Sequence, residues 1–414
     1  MIVDLRGYKS KAPWELEVQK RIESSTVFVF KERCSCMDLR QLFLLDPAVT
    51  YLNHGSFGAC PRPVFQTYQE WQLELERQPV DFLDRRAPGL MAEARAALAE
   101  YVGCGADDLV YFPNPTTAIN MVARSLKLGG GDEILTTDHE YGAMDRTWRF
   151  ICSRRGARYI RRAVPLPIPE DEAFIEHFWS GVNEHTRAIF ISHITSPTAI
   201  QFPVEEICVR AREAGLLTIV DGAHAPGQIP LDLADLGADI YAGACHKWLC
   251  APKGASFLYA RPEVRDILEP LVVSWGWEAE QPGISRFIDY HEWQGTRDIA
   301  SFLSVPAAIE FQRKYRWDDV RRHCIELAAE TRDRLFEIFG TTRLTGSQTW
   351  ALQMAAVELP EPERDIQRRL LEEHRIEIAV QKWSGRSYMR FSFQGYNNRA
   401  DANALINAVQ TLYA

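Results

Sequence analysis

The sequence lacks a long uninterrupted hydrophobic run, and its cysteines and histidines form no metal-binding or disulfide pattern. Within residues 1–40 the only apolar stretch, 27–30, is far too short for a signal-peptide core or a membrane span. The nine cysteines are odd in number and scattered without CxxC pairs, and the ten histidines show no HExxH spacing. We therefore predict a reduced, cytoplasmic protein with no structural or catalytic metal.

An excess of basic residues is also absent. The formal net charge is -9 at pH 7, which argues against a surface for nucleic acid or for an anionic membrane. The chain has 414 residues, of which 46% are hydrophobic, so it is long enough for a sizeable core and exceeds one ordinary domain. We expect two closely associated domains that act on a small molecule.

Short β-rich runs alternate with helical patterns from residue 109 onward. This alternation is typical of βαβ units around a mainly parallel sheet. The runs predict seven strands, at 109–112, 133–137, 158–160, 188–192, 216–220, 240–242 and 256–259. After residue 295, longer helical patterns at 300–315 and 317–339 precede a short α+β tail, which indicates a second, smaller domain.

An aspartate and a lysine follow two of these predicted strands. Asp221 comes directly after the run 216–220, and Lys247 comes shortly after the run 240–242. Enzymes that use pyridoxal 5'-phosphate (PLP) need an amine that holds the cofactor as a Schiff base and a carboxylate that keeps its pyridine nitrogen protonated. Because neighbouring strands bring both groups to one place, the pair predicts a PLP site.

The turn after the first predicted strand supplies a candidate phosphate site. Thr116 and Thr117 lie in the first turn of the helix predicted to follow residues 109–112. Free backbone N–H groups and the helix dipole attract an anion there, and the two hydroxyl groups add donors. Alone, the pair is equally compatible with an ordinary helix cap. Beside Asp221 and Lys247 we interpret it as the phosphate-binding turn.

These motifs resemble the class V aminotransferase family of fold-type I PLP enzymes, and within it the isopenicillin N epimerase-like branch. The resemblance covers about residues 51–412. It implies an α/β fold, with a large domain built on a mainly parallel seven-stranded sheet and a smaller α+β domain. The expected division is an N-terminal extension at 1–36, a segment at 37–65 that joins the small domain, the large PLP-binding domain at 66–295 and the C-terminal small domain at 296–414.

The resemblance also implies roles around the cofactor. His246 matches a position that contacts the phosphate, and His224 matches one that approaches the phenolic oxygen of the ring. Tyr141 matches the residue that stacks on the ring face opposite the lysine, with His139 as the alternative. Thr296, in a Gly-Thr motif, matches a residue that reaches the phosphate of a neighbouring subunit. This last role implies a homodimer with shared active sites.

At the substrate end, the resemblance implies that Arg390 grips the α-carboxylate of an amino acid. A planar guanidinium offers the two parallel donors that such a group needs. Asn53 and His54 lie in a glycine-rich turn that would line the entrance near the substrate. Two positions depart from the family pattern. Ala199 stands where the family has glycine, and Ala244 stands where relatives often carry a phosphate-binding hydroxyl residue.

The cofactor alone does not identify the reaction, because PLP serves many reactions of amino acids. Desulfuration requires a nucleophilic cysteine shortly before the carboxylate-binding arginine, and residues 375–388 contain none. We expect an isopenicillin N epimerase-like enzyme that acts at Cα of an amino acid or an amino-acid-derived substrate. The alternative is a carbon–sulfur or β-lyase that acts on a cysteine conjugate. A cysteine desulfurase and a non-catalytic PLP-binding regulator are less favoured.

Overall fold

Strands from two regions of the chain form separate sheets. The computed structural model describes residues 39–413, except 284, 342, 346–350 and 361–364, so the expected N-terminal extension lies outside the described residues. Numbered in chain order, the described strands are β1 (Thr50–Tyr51), β2 (Leu109–Phe112), β3 (Glu133–Thr137), β4 (Arg158–Arg162), β5 (Thr186–Ser192), β6 (Leu217–Gly222), β7 (Ile240–Ala244), β8 (Ser256–Ala260), β9 (Met354–Glu358), β10 (Ile376–Glu377), β11 (Ala379–Trp383) and β12 (Arg386–Ser392).

The large sheet has seven strands in the order β2-β8-β7-β6-β5-β3-β4. Strand β8 runs antiparallel to both β2 and β7, and the other neighbours are parallel. Every residue of β2, β7 and β8 is buried, as expected for strands covered by helices on both faces. All seven predicted strands are present, and the mainly parallel sheet is confirmed.

Helices cover the sheets and connect their strands. The described α-helices are His54–Phe57, Arg62–Arg77, Ala87–Val102, Pro115–Ser125, Gly142–Arg155, Asp171–Trp179, Val204–Glu213, Leu233–Leu236, Arg286–His291, Ala300–Leu303, Val305–Lys314, Trp317–Phe339, Ile366–His374 and Arg399–Tyr413. The single helix expected at 300–315 is divided at Ser304. Pro306 lies in the first turn of the second part, where its missing N–H costs no helical hydrogen bond.

A second, antiparallel sheet consists of β11, β12 and β9. The helices Trp317–Phe339 and Arg399–Tyr413 supply much of its hydrophobic core. Strand β1 pairs with β10, so residues 50–51 are joined to a strand from the C-terminal part of the chain. Among the described residues, no helix is long and apolar enough to cross a membrane.

The direction of the strands determines where on the large sheet a ligand site is expected. In parallel neighbours the carboxyl ends meet at one edge of the sheet, and ligands of open α/β sheets bind outside that edge. Asp221 lies near the end of β6, and Lys247 lies in the turn after β7. Residues 138–141 follow β3 and residues 193–199 follow β5. The fold therefore brings segments distant in sequence to a single edge.

Candidate active site

Asp221 is a buried carboxylate at this edge, with 3% of its surface exposed. The backbone N–H of Ala223 donates to its Oδ1 at 3.0 Å, and no other hydrogen bond to the carboxylate comes from the described residues. Burial raises the pKa of Asp221, while the Ala223 N–H and the charge of Lys247 lower it. A buried carboxylate without a hydrogen-bonded cation suits a ligand that brings a protonated nitrogen.

Lys247 projects an amine whose proton affinity is unusually low. Burial lowers its pKa to about 8, and the positive charge of Arg390 adds to this effect, while Asp221 opposes it. Its Nζ lies 3.1 Å from His224 Nε2. An amine with a pKa near neutrality has a useful neutral fraction under physiological conditions, which is what a nucleophilic lysine needs.

The segment at residues 54–58 holds the backbone around Lys247. The ring of His54 lies 3.0 Å from the Lys247 carbonyl oxygen through Nε2 and 3.1 Å from the Tyr396 hydroxyl through Nδ1. Gly58 has a φ of 71°, and a Cβ there would lie 2.0 Å from the carbonyl oxygen of His246. Only glycine permits this close approach. His54, expected near the substrate, is fully buried beneath the lysine.

Arg390 is a buried guanidinium, 3% exposed, on strand β12. Its Nη1 donates to the backbone oxygen and to the hydroxyl of Ser196, at 2.6 and 3.1 Å, and its Nη2 donates to Ser56 Oγ at 2.9 Å. No carboxylate of the described residues forms an ion pair with it. Burial lowers its pKa to about 10, while Tyr141 opposes this shift. A buried cation without an anionic partner is costly, so this position favours an anionic ligand.

Ser56 links Arg390 to the turn at 53–56. Its hydroxyl donates to Asn53 Oδ1 at 2.6 Å, and Asn53 Nδ2 in turn donates to Glu377 Oε1 at 3.2 Å. Asn53 was expected near the substrate, and the structure connects it to Arg390 through Ser56. Ser56 lies in the same glycine-rich turn, but nothing in the sequence distinguishes it as a partner of Arg390.

The helix Pro115–Ser125 begins beside this edge, and Asn114 caps it. Asn114 Oδ1 accepts both the backbone N–H and the hydroxyl of Thr117, at 2.8 and 3.0 Å. Thr116 forms no hydrogen bond through its hydroxyl with the described residues, so its donor remains for an anion. His246 presents Nδ1 to the carbonyl oxygen of Ala255 at 3.0 Å, and burial lowers its pKa to about 4.

The three residues at 139–141, after β3, differ in their exposure to solvent. Tyr141 is 47% exposed and lies close enough to Arg390 to act on its charge. His139 is fully buried, with its ring centroid 4.0 Å from that of Trp383. Glu140, which no sequence motif singles out, accepts hydrogen bonds from Thr137 and Ser192, both at 2.6 Å. Burial raises the pKa of Glu140 to about 7, and Asp221 contributes.

Thr296 lies on the surface rather than in this cluster. It is exposed and follows Gly295, whose φ is 108°. No hydrogen bond joins its side chain to another described residue.

Ala199 and Ala244, the two departures noted in the sequence, are both buried, and Ala199 adopts a left-handed φ of 56°. That conformation explains the glycine of the family pattern, because glycine adopts it at no steric cost.

The donor set fits PLP and does not resemble a metal centre. A lysine amine of lowered pKa, a buried carboxylate and a helix N-terminus with an unused hydroxyl match the aldehyde, the pyridine nitrogen and the phosphate of that cofactor. No group of three or more histidine, cysteine, aspartate or glutamate residues is arranged to hold a metal in the part of the chain that the structure describes.

Comparison with known proteins identifies a family and relatives along most of the chain. The family Aminotransferase class-V matches residues 51–405. Isopenicillin N epimerase of Amycolatopsis lactamdurans is 36% identical over 90% of this chain and 97% of its own. The enzyme of the same name from Streptomyces clavuligerus is 36% identical over 91% of this chain and 98% of its own. A probable chloroplastic L-cysteine desulfhydrase of Arabidopsis thaliana is 28% identical over 89% of this chain and 83% of its own.

Solved structures show the same fold at lower identity. A cysteine desulfurase of Escherichia coli superimposes with a TM-score of 0.77 at 21% identity, covering 92% of this chain and 98% of the other. A cystine C–S lyase in complex with cysteine persulfide gives a TM-score of 0.76 at 23% identity, over 87% and 97% of the two chains. These likenesses show a shared fold along most of the chain.

Proposed function

The chain belongs to the class V aminotransferase family, and from this premise we propose that it is a PLP-dependent enzyme acting at Cα of an amino acid or an amino-acid-derived substrate, as isopenicillin N epimerase does. The observation that carries the proposal is Arg390, a buried guanidinium without an ion-pair partner among the described residues, whose charge acts directly on Lys247. A carboxylate bound at Arg390 places its Cα beside the only lysine that this cluster contains.

PLP supplies, when bound, an electron sink that makes bond cleavage at Cα feasible. In the proposed site Lys247 holds the cofactor through its amine, and Asp221 holds a proton at the pyridine nitrogen. A pKa of about 8 would let the Lys247 amine accept a proton from Cα and return one at neutral pH. Tyr141 is proposed on the opposite side of Cα, where an epimerase needs a second proton carrier.

Arg390 orients the substrate before any bond changes. Its two terminal nitrogens are held by Ser56 and by Ser196, which are neutral acceptors that a carboxylate can replace or join. Charge-assisted pairs of this kind are shorter and stronger than neutral hydrogen bonds. The fixed fork therefore determines which bond at Cα stands ready for cleavage.

A carbon–sulfur or β-lyase is the second candidate, and one observation favours it. The relatives include proteins named L-cysteine desulfhydrase, which are 28% identical over 89% of this chain. Such a reaction needs Lys247 as base and a sulfur leaving group on the substrate, with no cysteine nucleophile. Residues 375–388 contain no cysteine, which keeps a cysteine desulfurase below both candidates.

We further propose a cytoplasmic homodimer with shared sites and with the domain boundaries expected from the sequence. Two observations support the shared site. Thr296 is exposed and not engaged by the described residues, and the segment before it displays Val273 and Trp275 with 66% and 86% of their surface exposed. A second copy of the chain would cover these side chains and receive Thr296 at its phosphate.

In mixed dimers of Lys247→Ala and Thr296→Ala subunits, recovered activity supports this arrangement, and no recovery after verified exchange contradicts it.

The reaction is tested by incubating the PLP-loaded enzyme with amino acids and cysteine conjugates in heavy water. Exchange of the Cα proton is expected for bound substrates. Exchange with inversion identifies an epimerase, whereas pyruvate with ammonia identifies a lyase. If no amino acid exchanges its Cα proton and none changes the absorbance of the cofactor, the proposed function is wrong.

A further inference from the structure

Three side chains form a continuous hydrogen-bonded chain that ends at the Lys247 amine. The indole Nε1–H of Trp248 donates to His224 Nδ1 at 3.2 Å, and His224 Nε2 lies 3.1 Å from Lys247 Nζ. Trp248 is fully buried and directly follows Lys247, so one turn of backbone carries both the amine and the indole. The direction of each hydrogen bond follows from the chemistry of the three groups.

The indole determines which nitrogen of His224 holds the proton. An indole N–H donates and never accepts, so the Nδ1 that it faces carries no hydrogen. Burial and nearby positive charges lower the pKa of His224 well below its usual value, so the ring is neutral and its single hydrogen lies on Nε2. His224 therefore presents an N–H donor to Lys247.

A donor at Nε2 requires an acceptor at Lys247. An ammonium group has three N–H donors and no lone pair, whereas the neutral amine has one lone pair to offer. We propose that Trp248 is a positioning residue: by fixing the tautomer of His224, it holds Lys247 Nζ in its neutral, nucleophilic form. The inference rests on the proposed function only for the use of that amine, which is to bind the cofactor covalently.

Other charges also act on the amine, and they remain in place when only the indole is changed. Burial and a neighbouring guanidinium favour the neutral amine, and a carboxylate favours the charged one. The titratable and charged groups that face Lys247 from the packed elements, besides His224, are Asp221, Arg390, His54 and His246. Because none of these hydrogen-bonds to the Trp248 indole, a change at Trp248 reports on the His224 tautomer.

The test is competitive labelling of the cofactor-free protein with trace acetic anhydride, measured at Lys247 by mass spectrometry as a function of pH. Trp248→Phe retains an aromatic ring beside His54, whose centroid lies 5.1 Å away, but it removes the N–H donor. His224 then becomes free to place its proton on Nδ1 and to accept from an ammonium at Nε2. We expect the pKa of Lys247 to rise by about one unit, so that labelling at neutral pH falls about tenfold.

Trp148→Phe is the matched control, because Trp148 is equally buried and its indole N–H has no hydrogen-bond partner among the described residues. Its Lys247 titration should match the wild type. An unchanged titration in Trp248→Phe overturns the proposal, as does a wild-type nitrogen NMR spectrum that places the His224 proton on Nδ1. The NMR measurement decides the matter even if the variant fails to fold. Neither readout involves substrate, so failure here and failure of the proposed reaction are distinguishable.

Discussion

Ser192 donates a hydrogen bond to Glu140 at 2.6 Å and joins the end of β5 to the turn after β3, 52 residues earlier in the chain. Ser192 is also the partner of Asp221 in the register of β5 and β6. A buried carboxyl group therefore lies one strand away from the carboxylate proposed to face the pyridine nitrogen. No basic side chain of the described residues forms an ion pair with Glu140, so its charge depends on pH.

The buried carboxyl of Glu140 predicts a pH dependence of stability. Its folded pKa of about 7 is above the ordinary value of 4.5, so the folded protein binds more protons than the unfolded chain between these values. The associated stability is fully present below about pH 4.5 and is lost as the pH rises to about 7. In Glu140→Gln this loss, about 3 kcal/mol, should disappear.

Urea unfolding of the cofactor-free protein at pH 5 and at pH 8 measures this effect as a difference between wild type and variant. Glu93→Gln, at an exposed position, is the control and should retain the wild-type pH dependence. If Glu140→Gln loses as much stability between the two pH values as the wild type does, Glu140 is already ionised at low pH.

Replacing Arg390 with lysine should impair binding of the substrate carboxylate. A lysine supplies charge but not two parallel donors, and charge-assisted hydrogen bonds are worth about 1.5–3 kcal/mol. We expect kcat/KM to fall about 10- to 100-fold, mainly through KM. Arg386→Lys is the control on the same strand, because Arg386 is exposed and paired with Glu358. Equal effects of the two substitutions would place the carboxylate elsewhere.

Ser56 and Asn53 should act as a unit on Arg390. Ser56→Ala removes the acceptor for Nη2 and should raise KM about tenfold, the effect of one hydrogen bond to a charged group. Asn53→Ala removes the group that orients the Ser56 hydroxyl, so its effect should be smaller. The double variant should resemble Ser56→Ala alone. Steady-state kinetics of the wild type, the two single variants and the double variant give a double-mutant cycle that measures this. Additive effects would show that Asn53 contacts the substrate independently.

Borohydride should fix the cofactor to Lys247 and to no other lysine. Lys253 is the internal control, because burial also lowers its pKa, yet its amine donates to the carbonyl oxygen of Gly58 at 3.0 Å. Peptide mapping after reduction should find the adduct only on Lys247. Asp221→Ala should still bind the cofactor covalently but lose turnover about 100-fold or more, as expected when a group that stabilises developing charge is removed. An adduct on Lys253 would reverse the assignment.

The sequence predicts those strands and helices whose position depends on the order of hydrophobic and polar residues within one short stretch. Strands buried on both faces give continuous hydrophobic runs, which made most strands of the large sheet predictable, with β2 and β3 matching in both bounds, whereas the partly exposed β4 matches only at its first residue. Asp221 and Lys247 could be proposed from the sequence because their residue types lie at or after the ends of neighbouring strands. The division at Ser304 was missed because the pattern around Pro306 is otherwise helical.

The residues that were missed depend on contacts between distant segments. Glu140 looks like an ordinary solvated acid in the sequence, and only the fold buries it against Ser192. Ser56 gains its importance from Arg390, 334 residues away. Asn114 takes the cap position because its side chain reaches the Thr117 N–H, whereas the sequence drew attention to the threonines themselves.

The close approach of Gly58 to His246 has a mechanical consequence. Together with the His54 ring on the Lys247 carbonyl, it attaches the turn that carries the amine to the segment that follows β1. That same segment holds Arg390 through Ser56. A displacement of residues 53–58 is therefore transmitted to both ends of the proposed site at once. The spacing between the Lys247 amine and the Arg390 guanidinium therefore depends on one short segment. Lengthening this segment by a single residue should change the position of one group relative to the other.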